Sequence, residues 1–151
     1  MTSSGPRTDT SAAPVRAPSG LAELIRVGVQ RTAPAGTVLM RQGEAADNLY
    51  VVTQGTLLVE REHPSLTSPV PLAELGPGEV VGEMALLDGS PRSATVTVLE
   101  DAVLLEVSAT QVQEILARHP ATAQYLLHVL SRRLGQTDDL VVDVAIGQRR
   151  I

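Results

Sequence analysis

Residues 82–96 read Gly-Glu-Met-Ala-Leu-Leu-Asp-Gly-Ser-Pro-Arg-Ser-Ala-Thr-Val, and they carry the side chains with most chemistry to offer. Arg92 brings a planar guanidinium whose paired N–H donors fit the oxygens of a phosphate. Glu83 brings a carboxylate, which only accepts hydrogen bonds at neutral pH. A short helix begun near Glu83 would turn the backbone N–H groups of Met84, Ala85 and Leu86 toward an anion, helped by the partial positive charge of its N-terminus. Gly82 lets the backbone approach closely, and Ser93 adds a hydroxyl donor. Such a set suits a ligand with an anion beside a sugar hydroxyl. Arg92 and the N–H groups would take the anion, Glu83 would accept a hydrogen bond from the hydroxyl, and Arg92 would screen the two negative charges from each other.

The same stretch resembles, almost residue for residue, the phosphate-binding cassette of cyclic nucleotide-binding domains. That resemblance implies that Arg92 holds the cyclic phosphate, that Glu83 holds the ribose 2′-hydroxyl and that Ser93 stands beside them. The implied ligand is cAMP first, with cGMP as the alternative, and no other cofactor. Arg41-Gln-Gly-Glu-Ala-Ala-Asp-Asn-Leu-Tyr-Val-Val-Thr-Gln-Gly55 resembles an earlier strand-and-turn signature of the family. Gly76-Pro-Gly-Glu-Val-Val-Gly82 resembles the approach to the cassette. The likeness runs from about Leu21 to about Asp139.

Ser131-Arg-Arg-Leu-Gly-Gln-Thr-Asp-Asp-Leu-Val141 is similar to the dimer helix of bacterial regulators of the catabolite-activator and fumarate-nitrate-regulator type. In those proteins adjacent Thr and Ser residues reach the adenine, one of them across the dimer. The matching positions are Thr137 and Asp138. Thr137 keeps its hydroxyl. Asp138 departs from the pattern, and its carboxylate suits either an adenine amino group or the N1–H and amino edge of guanine. Ser93 would also serve a guanine in the syn form, so both bases remain open. The resemblance implies a ligand-sensing regulatory module, homodimeric through its last helix. The alternative is the sensor half of a DNA-binding transcription regulator whose helix-turn-helix domain is absent from this chain, since Val144–Ile151 looks like the start of a connection.

The totals narrow the functions open to the chain. The formal net charge of −5 gives no broad attraction to a nucleic-acid backbone, so DNA binding by this chain alone is not expected. Phe and Trp are absent, which removes most base stacking and leaves a core of Val, Leu, Ile and Ala. With no Cys there are no disulfides and no thiolate metal sites. His63, His119 and His128 lack metal-ligand spacing, and no Ser-His-Asp arrangement is suggested. Catalytic and metal-binding residues are therefore expected to be none. No apolar run is long enough for a membrane span and no signal peptide is evident, which makes the cytoplasm the expected location.

These residues need a scaffold, and the pattern predicts one that is mainly β with flanking helices. Residues 1–20, rich in Ser, Thr, Pro, Ala and Gly, read as a disordered tail. Residues 21–139 read as the binding domain, and residues 140–151 as the end of a helix or a linker. Short strands are expected at Val27–Thr32, Thr37–Arg41, Leu49–Thr53, Thr56–Glu62, Val70–Leu75, Ser93–Leu99 and Ala102–Val107. Gln54-Gly55 marks a tight hairpin between two of them. Their number and spacing imply an antiparallel β-roll, jelly-roll-like, with a short cassette helix. Helices are expected at Leu21–Arg26, capped by Ser19, and at Ala109–Arg118, capped by Ser108. Pro120 suits the first turn of another. That last, long helix carries Leu127, Leu130, Leu134, Thr137, Val141 and Val144 at coiled-coil spacing, the seam of a dimerisation helix that continues past Gly135.

Overall fold

The computed structural model describes residues 19–132. Residues 1–18 of the expected tail, Thr137, Asp138, and the seam from Leu134 onward lie outside the described residues, whereas Ser19 and Gly20, expected in the tail, already belong to the first helix. Within them the chain runs α1 (Ser19–Val27), β1 (Val29–Ala33), β2 (Val38–Met40), β3 (Asn48–Arg61), β4 (Val70–Leu75), β5 (Val80–Val81), α2 (Glu83–Asp88), β6 (Thr95–Ser108) and α3 (Ala109–Arg118). A further helix, α4, occupies residues 120–132. The expected antiparallel architecture with flanking helices is what forms, and all strand pairings are antiparallel.

Two strands organise the roll. β3 and β6 are each 14 residues long and pair with each other from Asn48↔Ser108 to Glu60↔Thr95. The half of β6 near its C-terminus also pairs with β1, and the half of β3 near its N-terminus pairs with β5. At the other end β2 joins β6 and β4 joins β3. Two bands of sheet thus share the same two long strands.

The hairpin expected at Gln54-Gly55 is a correction. The chain does not reverse there; it bends and continues. The β3–β6 register shifts between Val52 and Gln54, between Gln54 and Thr56, and between Thr56 and Leu57. Gly55 has φ +89°, and a Cβ there would run into the backbone of Glu100, Asp101 and Ala102. A glycine with positive φ in a paired strand is a bulge, which bends the strand and increases its twist. The expected break between Ser93–Leu99 and Ala102–Val107 is corrected likewise: one strand crosses it, opposite the Gly55 bulge.

The pleat of the long strands feeds two cores, because successive side chains point to opposite faces. Val52, Leu57, Val96, Val98 and Leu104 meet Met40, Leu75 and Val81 inside the roll. Leu49, Val51, Val80 and Val107 face outward and are covered by Leu21 and Leu24 of α1, Val112 and Ile115 of α3, and Leu126 of α4. α3 begins as expected, with a reciprocal capping box between Ser108 and Gln111. Pro120 opens α4 at the position where its missing N–H does no harm. The first strand starts later than expected, at Val29, because Val27 still belongs to α1.

Candidate functional site

Gly82 leaves the sheet after β5 with φ +93°, the left-handed conformation, and α2 begins at the next residue. No side chain caps this helix start. A Cβ on Gly82 would sit 2.7 Å from Arg92 Nη1 and 3.1 Å from the Met40 methyl. Only glycine provides both the backbone turn and the room for the guanidinium. α2 closes at Gly89, and the loop that follows is held by Asp88, whose Oδ1 accepts from the Ser90 N–H at 2.9 Å and from the Ser90 hydroxyl. Those two hydrogen bonds lower the Asp88 pKa below its ordinary value.

The loop delivers Arg92 back to the helix start. Its backbone is fixed to the β2–β3 connection, with Arg92 N–H donating to Glu44 O at 2.7 Å and Gly43 N–H donating to Arg92 O at 2.9 Å. Its side chain is only 6% exposed, unusual for an arginine. Nη1 donates to Gly82 O at 3.1 Å and Nη2 donates to Asn48 Oδ1 at 2.7 Å. Both acceptors are neutral, and a guanidinium has five N–H donors to place. Burial pushes the Arg92 pKa down, and the Tyr50 side chain and the carboxylates of Asp47, Glu44 and Glu83 work against that shift. It stays cationic, since arginine does not lose its proton in proteins.

Gly82, Met84, Ala85, Arg92 and Ser93 line one hollow together with Met40, Val59, Val81, Ala94 and Val96. The hollow is small, about 40 Å³. One wall is pinned by Arg61, whose Nε donates to Ser93 O at 3.0 Å. The Ser93 hydroxyl points to Met84 Sδ at 3.8 Å. The charge of Glu83 is felt at Arg92, yet Glu83 is fully buried at the first position of α2 and does not line the hollow. Five of the sequence-selected residues are therefore brought to one cavity, Glu83 is buried outside its lining, and Thr137 and Asp138 are outside the described residues.

Sequence reasoning passed over Asn48, Met40 and Val59. Asn48 lies just before the expected strand Leu49–Thr53, and its contact with Arg92 spans 44 positions. Met40 and Val59 are ordinary strand residues whose face becomes visible only when the roll closes. Among the described residues no group of His, Cys, Asp or Glu is arranged to hold a metal ion. Among those same residues, no helix is long and apolar enough to cross a membrane.

The model of the cyclic nucleotide-binding domain family matches residues 30–119. A cyclic nucleotide-gated potassium channel of Mesorhizobium japonicum is 36% identical over 78% of this chain and 31% of its own length. The cyclic AMP receptor protein of Thermus thermophilus is 37% identical over 72% of this chain and 50% of its own length. The chain thus spans a third to a half of these curated relatives. The crystal structure of the Thermus thermophilus catabolite activator protein superposes with a TM-score of 0.72 at 34% identity, covering 85% of this chain and 60% of that one. Family match, sequence identity and fold agree, and this chain is a cyclic nucleotide-binding domain of the catabolite-activator type.

Proposed function

We propose that this domain binds a cyclic nucleotide monophosphate, cAMP before cGMP, and that occupancy regulates a partner through the C-terminal helix. The observation that carries this reading is Arg92: a buried guanidinium, bonded to neutral oxygens, facing a hollow at an uncapped helix start. A single phosphate charge completes such a site at little desolvation cost, because the cation is already dehydrated and positioned. Gly82, Met84 and Ala85 supply backbone N–H groups around that phosphate, and Ser93 a hydroxyl. The ribose 2′-hydroxyl role of Glu83, which is buried and outside the lining of the hollow, rests on the family resemblance, and the 2′-deoxy compound tests it. The hollow is small, so sugar and base extend through its mouth, and the family resemblance assigns the base to Thr137 and Asp138. cAMP is placed first because the Thermus thermophilus relative is a cyclic AMP receptor protein.

The domain acts, in this reading, as a homodimer in the cytoplasm, with ligand biasing the position of α4. A second reading, favoured by the likeness to the catabolite activator protein, makes it the sensing part of a DNA-binding regulator. Calorimetric titration with cAMP, cGMP and 2′-deoxy-cAMP tests the proposal. Saturable binding of one cyclic nucleotide, weakened for the 2′-deoxy compound, is expected. No heat with cAMP or cGMP at millimolar concentration overturns it. DNA retention by the intact native protein, but not by this chain, separates the second reading from the first.

A further inference from the structure

Behind Arg92 lies a file of polar side chains that crosses the sheet. Asn48 stands at the start of β3, and its amide bridges two neighbours. Oδ1 accepts from Arg92 Nη2 at 2.7 Å, and Nδ2 donates to Glu106 Oε2 on β6. The other oxygen of that carboxylate, Oε1, accepts from Arg31 Nε on β1 at 2.9 Å. Four side chains from three adjacent strands and the cassette loop therefore form one chain, Arg92–Asn48–Glu106–Arg31. It begins at a residue 6% exposed and ends at a side chain 55% exposed on the outer strand.

The chemistry of the chain has a direction. An amide can turn over, exchanging its oxygen and nitrogen with little change of shape. A carboxylate accepts only, so Glu106 admits just one orientation: nitrogen toward Glu106, oxygen toward Arg92. Were the amide reversed, its NH₂ would meet the Arg92 guanidinium donor to donor, and its oxygen would meet the Glu106 carboxylate acceptor to acceptor. Arg31 in turn holds Glu106 by its far oxygen. We infer that Glu106, steadied by Arg31, is a positioning residue that fixes the Asn48 amide and through it the Arg92 guanidinium, so that the phosphate site is built from the outer edge of the sheet inward.

This inference rests on the phosphate role of Arg92 given above, but its test does not depend on ligand binding. Side-chain ¹⁵N spectra of the ligand-free protein report rotation about the Arg92 Cζ–Nη2 bond. Slow rotation is expected in the wild type and fast rotation in Glu106→Gln, where the new amide no longer dictates the orientation of Asn48. Arg31→Ala, at an exposed position that leaves the core untouched, is expected to speed the rotation to a lesser degree. Unchanged Arg92 spectra in both variants overturn the inference, whatever the protein binds.

Affinity then gives an independent reading. Glu106→Gln is expected to weaken cAMP binding roughly threefold to thirtyfold. In an Arg92→Ala background the same change is expected to have no further effect, since the residue through which Glu106 acts is gone. An equal loss in both backgrounds marks a merely structural role and overturns the inference. If the wild type binds neither cAMP nor cGMP while the Arg92 spectra respond as expected, the positioning chain stands and the ligand reading fails.

Discussion

Arg92 illustrates how a charged residue is kept buried without losing its use. Its bonds to Gly82 O and Asn48 Oδ1 fix the plane of the guanidinium while leaving the charge itself unneutralised by those partners. Arg92→Ala is expected to weaken cyclic nucleotide binding by about 2–5 kcal/mol, the range for removing one member of a desolvated charge pair. Calorimetry checks this, and near-wild-type affinity would exclude Arg92 as the anchor. Thermal melts of the same variant should show a smaller loss, about 1–3 kcal/mol, because two half-buried oxygens lose their donor. Asp88 gives a pH dependence at the same scale. Its pKa is lowered in the fold by the Ser90 hydrogen bonds, so its stabilising contribution is complete above the ordinary carboxylate range. That contribution disappears as pH falls through the lowered value. The Ser90 amide resonance is expected to titrate below the ordinary Asp range in the wild type, and to stop doing so in Asp88→Asn.

At the scale of elements, the helices and the long strands carry different lessons. α4 packs Thr122, Leu126 and Val129 inward, a spacing of four and three that places them on one face. Thr122 is fully buried, yet its hydroxyl oxygen has no hydrogen-bond partner. A buried hydroxyl left unsatisfied is unfavourable. Thr122→Val, which keeps the shape and removes the polar atom, is expected to stabilise the domain by about 1 kcal/mol in urea unfolding. A destabilised variant would mean that the hydroxyl finds a partner in solution. The long strands show why a glycine is an ambiguous mark. Gln54-Gly55 reads as a two-residue turn between alternating apolar runs, and a bulge requires the same left-handed residue in the same setting. What separates them is whether a partner strand continues across the position, and β6 does.

At the scale of the whole molecule, α4 has an exposed side as well as a buried one. Leu127 is 59% exposed, while its neighbours Leu126 and Val129 are buried in the subunit. The face that carries Leu127 is therefore distinct from the one that completes the core, and in the proposed homodimer it would meet a second copy of the chain. Leu127→Asp is expected to shift the protein toward monomer in light scattering without lowering its melting temperature, and an unchanged mass would return that face to solvent. The local chemistry of the site was legible in the chain itself. Gly82, Met84, Ala85, Arg92 and Ser93 lie within a few residues of one another, so a single turn of helix and one loop suffice to gather them. The same holds for the Ser108 cap and the alternation of the strands, which depend only on near neighbours. The burial of Glu83, the continuity of β3 and β6, and the Asn48–Glu106–Arg31 file were decided by tertiary structure alone. Each depends on register between strands distant in sequence, and a period of two tells which face a side chain takes but not which residue it will find there.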